Sequence, residues 1–337
     1  MAIQGFIRFR KRQVGKQSSF ASNTGASRVL PYRGTIKVEP NRTTPDVDTG
    51  SLDPVLAAYL GAQDITESWD GKEAFDDLPY VYALGIKGGV TATGGPDYTW
   101  TYQAASLTAD PFEYITEEWG DDVTSDLITA GGGVINDWQE SFGADLAAWD
   151  LTANLYYARA EFGNGATGGL EVDNTPNWLY GAHTVVYMDD TAGAIGVTPL
   201  VSTVHGLTFA VNNNLDKKRF ADGSNVGFDL AGYGRGPREI TFTLQLAKTA
   251  ASIAEAQTLD DNPVPTRYFD VDTTSTEIIS GSSTPYSRSL RFAAELIGRD
   301  DTEIDNNSVI TLTYRGKYDS TLGYALRAEV VNTLASL

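Results

Sequence analysis

The chain has 337 residues, a formal charge of −19, 34 glycines and no cysteine. The lack of cysteine excludes disulfides, thiolate metal sites and a cysteine nucleophile. The lack of any run of about 18 apolar residues removes a membrane-spanning helix, and the acidic balance opposes a general grip on DNA or anionic lipid.

Charge is divided unevenly. Residues 1–37 carry eight basic side chains and no acidic one, whereas the remaining 300 carry 17 basic and 44 acidic, a body near −27. Arg8, Arg10, Lys11, Arg12, Lys16, Arg28, Arg33 and Lys37 are separated by Gly, Ser, Asn and Gln. That spacing offers too little apolar area to offset ordering entropy, so the arm is expected either to fold onto a partner or to stay a solvated tail, with nucleic-acid binding a third reading that the acidic body opposes. The nearest acidic partner is another copy of the same body. Basic residues follow the apolar ones between Met1 and Phe9, the reverse of a secretory signal, so the chain is expected to stay where it is made.

Along the chain, Thr35 to Val38 reads as a short strand and Pro40 to Ser51 as a polar loop. Asp53-Pro54 has the form of a helix start, with Gly61 as its stop, and a second helical pattern runs from Asp77 to Gly85. Tyr98 to Tyr102 alternates aromatic and hydroxyl residues at period two, which marks a strand. Phe112 to Trp119 is a further strand, followed by an acidic loop from Gly120 to Asp126. Gly131-Gly132-Gly133 precedes a strand from Val134 to Phe142, and Trp149 to Tyr157 alternates clearly. The glycine-rich stretch Phe162 to Leu170 marks a domain boundary.

In the second half, Leu207 to Val211 and Ile240 to Leu246 alternate as strands, and a helix capped by Thr249 spans about Ala250 to Leu259. Tyr268 to Val271, Ser289 to Ile297, Val309 to Tyr314 and Leu326 to Val331 complete the strands. Each half thus holds several strands and a short helix. The expected division is a basic arm at 1–37, one β module at 38–165 and a second at 166–337.

Catalytic motifs find little support. Asp48-Thr49-Gly50-Ser51 matches the loop that presents an aspartic-protease carboxylate, but no second D-[ST]-G supplies the partner that shares its proton. His183 and His205 are the only histidines, neither in a nucleophile context, so a loop or strand-end role is expected for them. Asp121, Asp122 and Asp126, like Asp270, Asp272 and Glu277, could bind a hard cation, yet lack the glycine and glutamate spacing of an EF-hand. Gly232 to Pro237 lacks a following Lys-Ser/Thr and precedes a strand, which reads as a mobile loop and not a phosphate cradle. Arg235 and Arg238 there, with Lys217, Lys218 and Arg219, form the basic concentration outside the arm and a second candidate contact for an acidic neighbour.

The stretch Trp69 to Tyr80 (W-D-G-K-E-A-F-D-D-L-P-Y), with Gly89 to Gly94, Tyr98 to Tyr102, Val211 to Asn214, Lys317-Tyr318-Asp319 and Val330 to Asn332, resembles the tail tube (major tail) proteins of long-tailed, non-contractile bacteriophages. The likeness spans most of the chain from about Tyr32. It implies a mainly β fold of two tandem tail-tube-type β-sandwich or barrel modules, each with a short helix, whose sheets join neighbouring copies into a ring-shaped β-barrel. It also implies a structural, non-enzymatic virion protein without cofactor, made in the host cytoplasm. Its rings, trimeric with pseudo-sixfold symmetry or hexameric, stack around a tape-measure protein, meet tail-end proteins and later conduct the genome without binding it specifically. Arg8, Arg10, Lys11, Arg12, Lys16, Lys217, Lys218, Arg219, Arg235 and Arg238 are the candidate contacts between copies or rings. Two other readings stand beside this one: a secreted β-rich hydrolase of the aspartic type, and a surface- or carbohydrate-binding β-sandwich protein.

Overall fold

The computed structural model describes residues 11–20, 22–43, 59–104, 111–121, 126–163, 167–168, 170, 175–220, 230–304 and 307–337. The protein is mainly β, with a large antiparallel sheet. The strands of the first half are β1 (Lys11–Lys16), β2 (Arg28–Val29), β3 (Lys37–Thr43), β4 (Tyr59–Lys72), β5 (Thr93–Gly94), β6 (Tyr98–Gln103), β7 (Ile115–Asp121), β8 (Asp126–Phe142), β9 (Asp150–Tyr157) and β10 (Arg159–Phe162). The second half adds β11 (Thr184–Asp189), β12 (Val204–Asn212), β13 (Leu215–Lys218), β14 (Gly232–Arg235) and β15 (Glu239–Ala247). It ends with β16 (Thr266–Ile278), β17 (Pro285–Ile304), β18 (Asn307–Lys317) and β19 (Arg327–Asn332). Two helices, α1 (Leu78–Gly85) and α2 (Ala250–Gln257), follow β4 and β15.

Seventeen strands are linked by ladders, with β13 and β14 forming a separate pair. One layer runs β3-β4-β9-β8-β12-β15-β18-β17, all antiparallel. The facing layer runs β11-β16-β17-β19-β6-β5, so the long β17 serves both. A smaller group, β2-β1-β7-β8-β10, uses the first half of β8.

The core lies between the two main layers because their strands alternate. In β15, Ile240, Phe242, Leu244 and Leu246 are buried while the residues between them are not. Phe242 of β15 meets Phe269 of β16 at 5.0 Å between ring centroids, and Phe209 of β12 meets Phe292 of β17 at 5.3 Å. Neither pair of strands shares a ladder, so these aromatic contacts cross from one layer to the other. Helix α1 is buried along its whole length, and the Tyr102 hydroxyl donates to its Pro79 carbonyl at 3.0 Å. Helix α2 carries a capping box in which Thr249 and Ser252 satisfy one another's backbone N–H groups.

Several local expectations are corrected. Residues 59–61, expected as a helix end, lie in β4, and β3 continues to Thr43 where a loop was expected. Asp48 to Ser51, and Asp53 to Ala58 of that helix, lie outside the described residues. The glycine triplet 131–133 sits inside β8 instead of before it. Gly132 has φ +72 and would bring a Cβ within 2.6 Å of Ala158, so a glycine is needed where β8 changes neighbours from β7 to β12. Gly232 to Arg235, expected as a mobile loop, is strand β14 in a ladder with β13. The β8–β12 and β6–β19 ladders join the halves of the chain on either side of residue 165, which leaves the expected division into two modules as it stood. Among the described residues no helix is long and apolar enough to cross a membrane.

Candidate assembly surface

The layer that contains β4, β9, β8, β12, β15 and β18 buries one face in the core and leaves the other open. Cross-strand register sorts the open face into polar rows. One runs Lys72, Asp150, Ser141, Thr208, Thr243 and Thr313. The next runs Asp70, Thr152, Gln139, Ala210, Thr241 and Arg315, and a third runs Ser68, Asn154, Asp137, Asn212 and Glu239. No large aliphatic side chain interrupts these rows. Carboxylates outnumber cations on them, and Lys72 is tied to Asp150 at 2.6 Å. Two shallow troughs of about 490 and 370 Å³ meet at Asp137 and Asn154. There Asn154 Nδ2 and Asn136 Nδ2 donate to the Asp137 carboxylate at 2.6 and 2.8 Å.

Among the described residues this layer has two open edges. Strand β3 has a ladder only with β4 among the described residues, and it carries Pro40. At the far end, β17 pairs with β16 only as far as Glu295, and from Gly298 to Ile304 its ladder is with β18 alone. That free stretch carries Arg299, Asp300, Asp301 and Glu303. Charges and a proline are the usual means of keeping an edge from indiscriminate pairing.

The cations expected to reach a neighbouring copy are largely engaged within the chain. Arg12 is 2% exposed; its guanidinium donates to Glu67, to Glu117 and to the Tyr32 carbonyl, so a contact with another copy is corrected to an internal ion cluster. Because β1 is paired with β2 and β7, the arm is part of the folded body from residue 11 onward. Arg8 and Arg10 lie outside the described residues, and Lys11 opens β1. Lys16 is 3.1 Å from Glu113. Lys217 lies 3.0 Å from Asp64 and over the Tyr156 ring, and Arg219 donates to Asp64 and to the Gln63 carbonyl. These donors pull Asp64 below the usual carboxylate range, the Lys217 hydrogen bond being the largest cause. Lys218 pairs with Asp216, Arg235 stacks over Phe112, and Arg238 donates to Asn213 Oδ1 and the Ile86 carbonyl at 2.9 Å. Lys217 and Arg219 thus fasten β13 and its end to β4 and β9, while Arg235 and Arg238 tie the end of β14 to Phe112, Asn213 and Ile86.

Two buried ionic clusters were not foreseen from the sequence. In the first, Arg12 of β1 serves Glu67 of β4 and Glu117 of β7, with the Tyr157 hydroxyl donating to both carboxylates. Burial, then the Glu117 charge, holds the Glu67 carboxyl well above its usual range, so a retained proton balances the single cation. In the second, Arg288 of β17 is 2.7 Å from Glu140 of β8 and stacks over Trp149, all inside the core. Nearby Glu73 is fully buried, neither of its oxygens has a hydrogen-bond partner among the described residues, and burial followed by the Glu140 charge pushes its carboxyl well up. His183 ends a short 3-10 turn against Tyr180, and His205 lies at the start of β12. Among the described residues no group of three or more His, Asp or Glu could hold a metal ion.

Comparison with protein-family models and with curated protein sequences gives no match for this chain.

Proposed function

We propose that this protein is the structural subunit of a phage tail tube, assembling head to tail into stacked rings whose lumen conducts the viral genome. The observation that carries the reading is the wide polar face on a layer whose two edges are both open. The eight strands of that layer alternate in direction, so pairing the last edge of one copy with the first edge of the next keeps every neighbour antiparallel. Three copies give a 24-stranded barrel, wide enough for an aqueous bore, and closing the circle removes both edges.

The halves repeat one plan, which favours a trimer over a hexamer. The first orders its strands β3-β4-β9-β8 with α1 after β4; the second orders them β12-β15-β18-β17 with α2 after β15. Each is a tube-type module, 38–165 and 166–337, and together they supply pseudo-sixfold symmetry. The bore is lined by the Thr, Asn, Gln and carboxylate rows, past which phosphate slides without forming counterion-releasing contacts. In this reading the contact with the acidic body of the next ring falls to the basic segment 1–10, with Arg8 and Arg10, which lies outside the described residues. The tape-measure protein and tail-end proteins are the remaining partners, and the virion tail is the location.

Negative-stain microscopy of the concentrated protein tests the reading. Rings or tubes with a central bore are expected, and compact monomers at every concentration would overturn it.

A further inference from the structure

We infer that the ladder between β8 and β12 inside the chain is the template for the contact between copies, which fixes its register: β17 of one copy pairs with β3 of the next and with the residues just before it, Asp300 opposite Lys37 and Thr302 opposite Thr35. This rests on the ring-forming reading above and adds to it a residue-level interface.

The β8–β9 ladder slips by one residue between Ile135 and Asp137, and the β17–β18 ladder slips in the same way between Leu296 and Gly298. Superposing the slips makes Asp137 equivalent to Gly298, Gln139 to Asp300 and Ser141 to Thr302. The same superposition makes Tyr156 equivalent to Arg315. Tyr156 pairs with Thr66, and Arg315 pairs with Thr241. Thr66 in turn pairs with Lys37, and Thr241 with Ala210, so Lys37 takes the place of Ala210 and Thr35 that of Thr208.

On the side of β8 beyond Gly133, where β7 ends, β12 continues the sheet with Gln139 opposite Ala210 and Ser141 opposite Thr208. On the corresponding side of β17 beyond Glu295, where β16 ends, no strand follows among the described residues. The vacant place therefore matches β3 of a second copy. Charge agrees with that placement. Lys37 and Asp300 are both exposed and would face each other on the bore side, where opposite charges directly across a ladder are favourable. On the core side, Asp301 takes the position of Glu140, and each already has a cation: Lys248 at 3.0 Å for Asp301, Arg288 for Glu140.

Because the chain has no cysteine, a designed disulfide reads the register cleanly. Cross-strand Cα spacings of about 4.5–5.5 Å fall within disulfide reach. Oxidising assembled full-length protein carrying Thr35→Cys and Thr302→Cys is expected to convert most chains to covalent dimers and trimers on a denaturing gel. Chains with Thr35→Cys and Asp300→Cys, two residues out of register, should stay at least tenfold less cross-linked. As a second measurement, Asp300→Lys should reduce ring yield and Lys37→Asp in the same chain restore it. Rings that form normally but link equally well at the shifted pair, or not at all, overturn the register while leaving the tube reading intact; absence of rings overturns both.

Discussion

At the residue scale, the ionic clusters decide how the body is held together. Arg12 holds the buried carboxyl groups of Glu67 and Glu117, which lie on different strands, and truncating it leaves their shared negative charge uncompensated. Arg12→Ala is expected to destabilise the free subunit by about 3–5 kcal/mol in denaturant unfolding, the usual cost of breaking a buried pair; a change below about 1 kcal/mol would contradict the cluster's role. Glu73 makes a pH-dependent contribution. Its carboxyl is raised by burial, and it faces Glu140 of β8, Arg288 of β17 and Asp150 of β9. The folded state therefore binds its proton more tightly than the unfolded chain, where glutamate titrates near about 4.3. Stability is full below that value and is lost as pH rises toward the folded-state pKa. Glu73→Gln should lessen the decline in unfolding free energy between pH 5 and 8 and change little at pH 4. An unaltered slope would count against it. None of this was readable beforehand, because the partners of Arg12 are 55 and 105 residues away in sequence.

At the element scale, alternation was a reliable guide and punctuation a weaker one. β6, β9, β12, β15 and β18 were legible because buried side chains recur at alternate positions along each, with one doubled position in β12 (Gly206-Leu207) and one in β18 (Val309-Ile310). Both α1 and α2 were legible from Asp77-Leu78-Pro79 and from the Thr249 cap. The sequence misled at β1, β4 and β14, where the local pattern is polar or glycine-rich, and for the first two strand formation depends on partners far along the chain: β7 for β1, β9 for β4. Inclusion of β1 in the body also separates two truncations. Deleting residues 2–10 leaves β1 and its Arg12 cluster whole, and is expected to preserve monomer stability and ring formation while shortening tubes. Sedimentation and microscopy of that variant check this, and tubes of normal length would remove the role assigned to the arm.

At the scale of the whole molecule, composition indicated a β-rich, acidic subunit, and the sheet order supplied what composition lacks. The order of strands, the open edges and the polar rows depend on which strands meet, and no single stretch of sequence encodes that. Under the tail-tube proposal, the rows name the carboxylates on which conduction would depend. Replacing Asp70, Asp137 and Glu239 together by Lys should leave tubes intact but slow genome ejection severalfold, since each new cation would hold a phosphate and release its counterion. Unchanged ejection kinetics would sink the idea of a non-adhesive bore.

The central claim is that the copies close a circle through the edges of one eight-stranded layer. Native mass spectrometry of the smallest ring tests it most directly: the account predicts three copies, and a ring of six copies, or a chain that remains monomeric under every assembly condition, would contradict it.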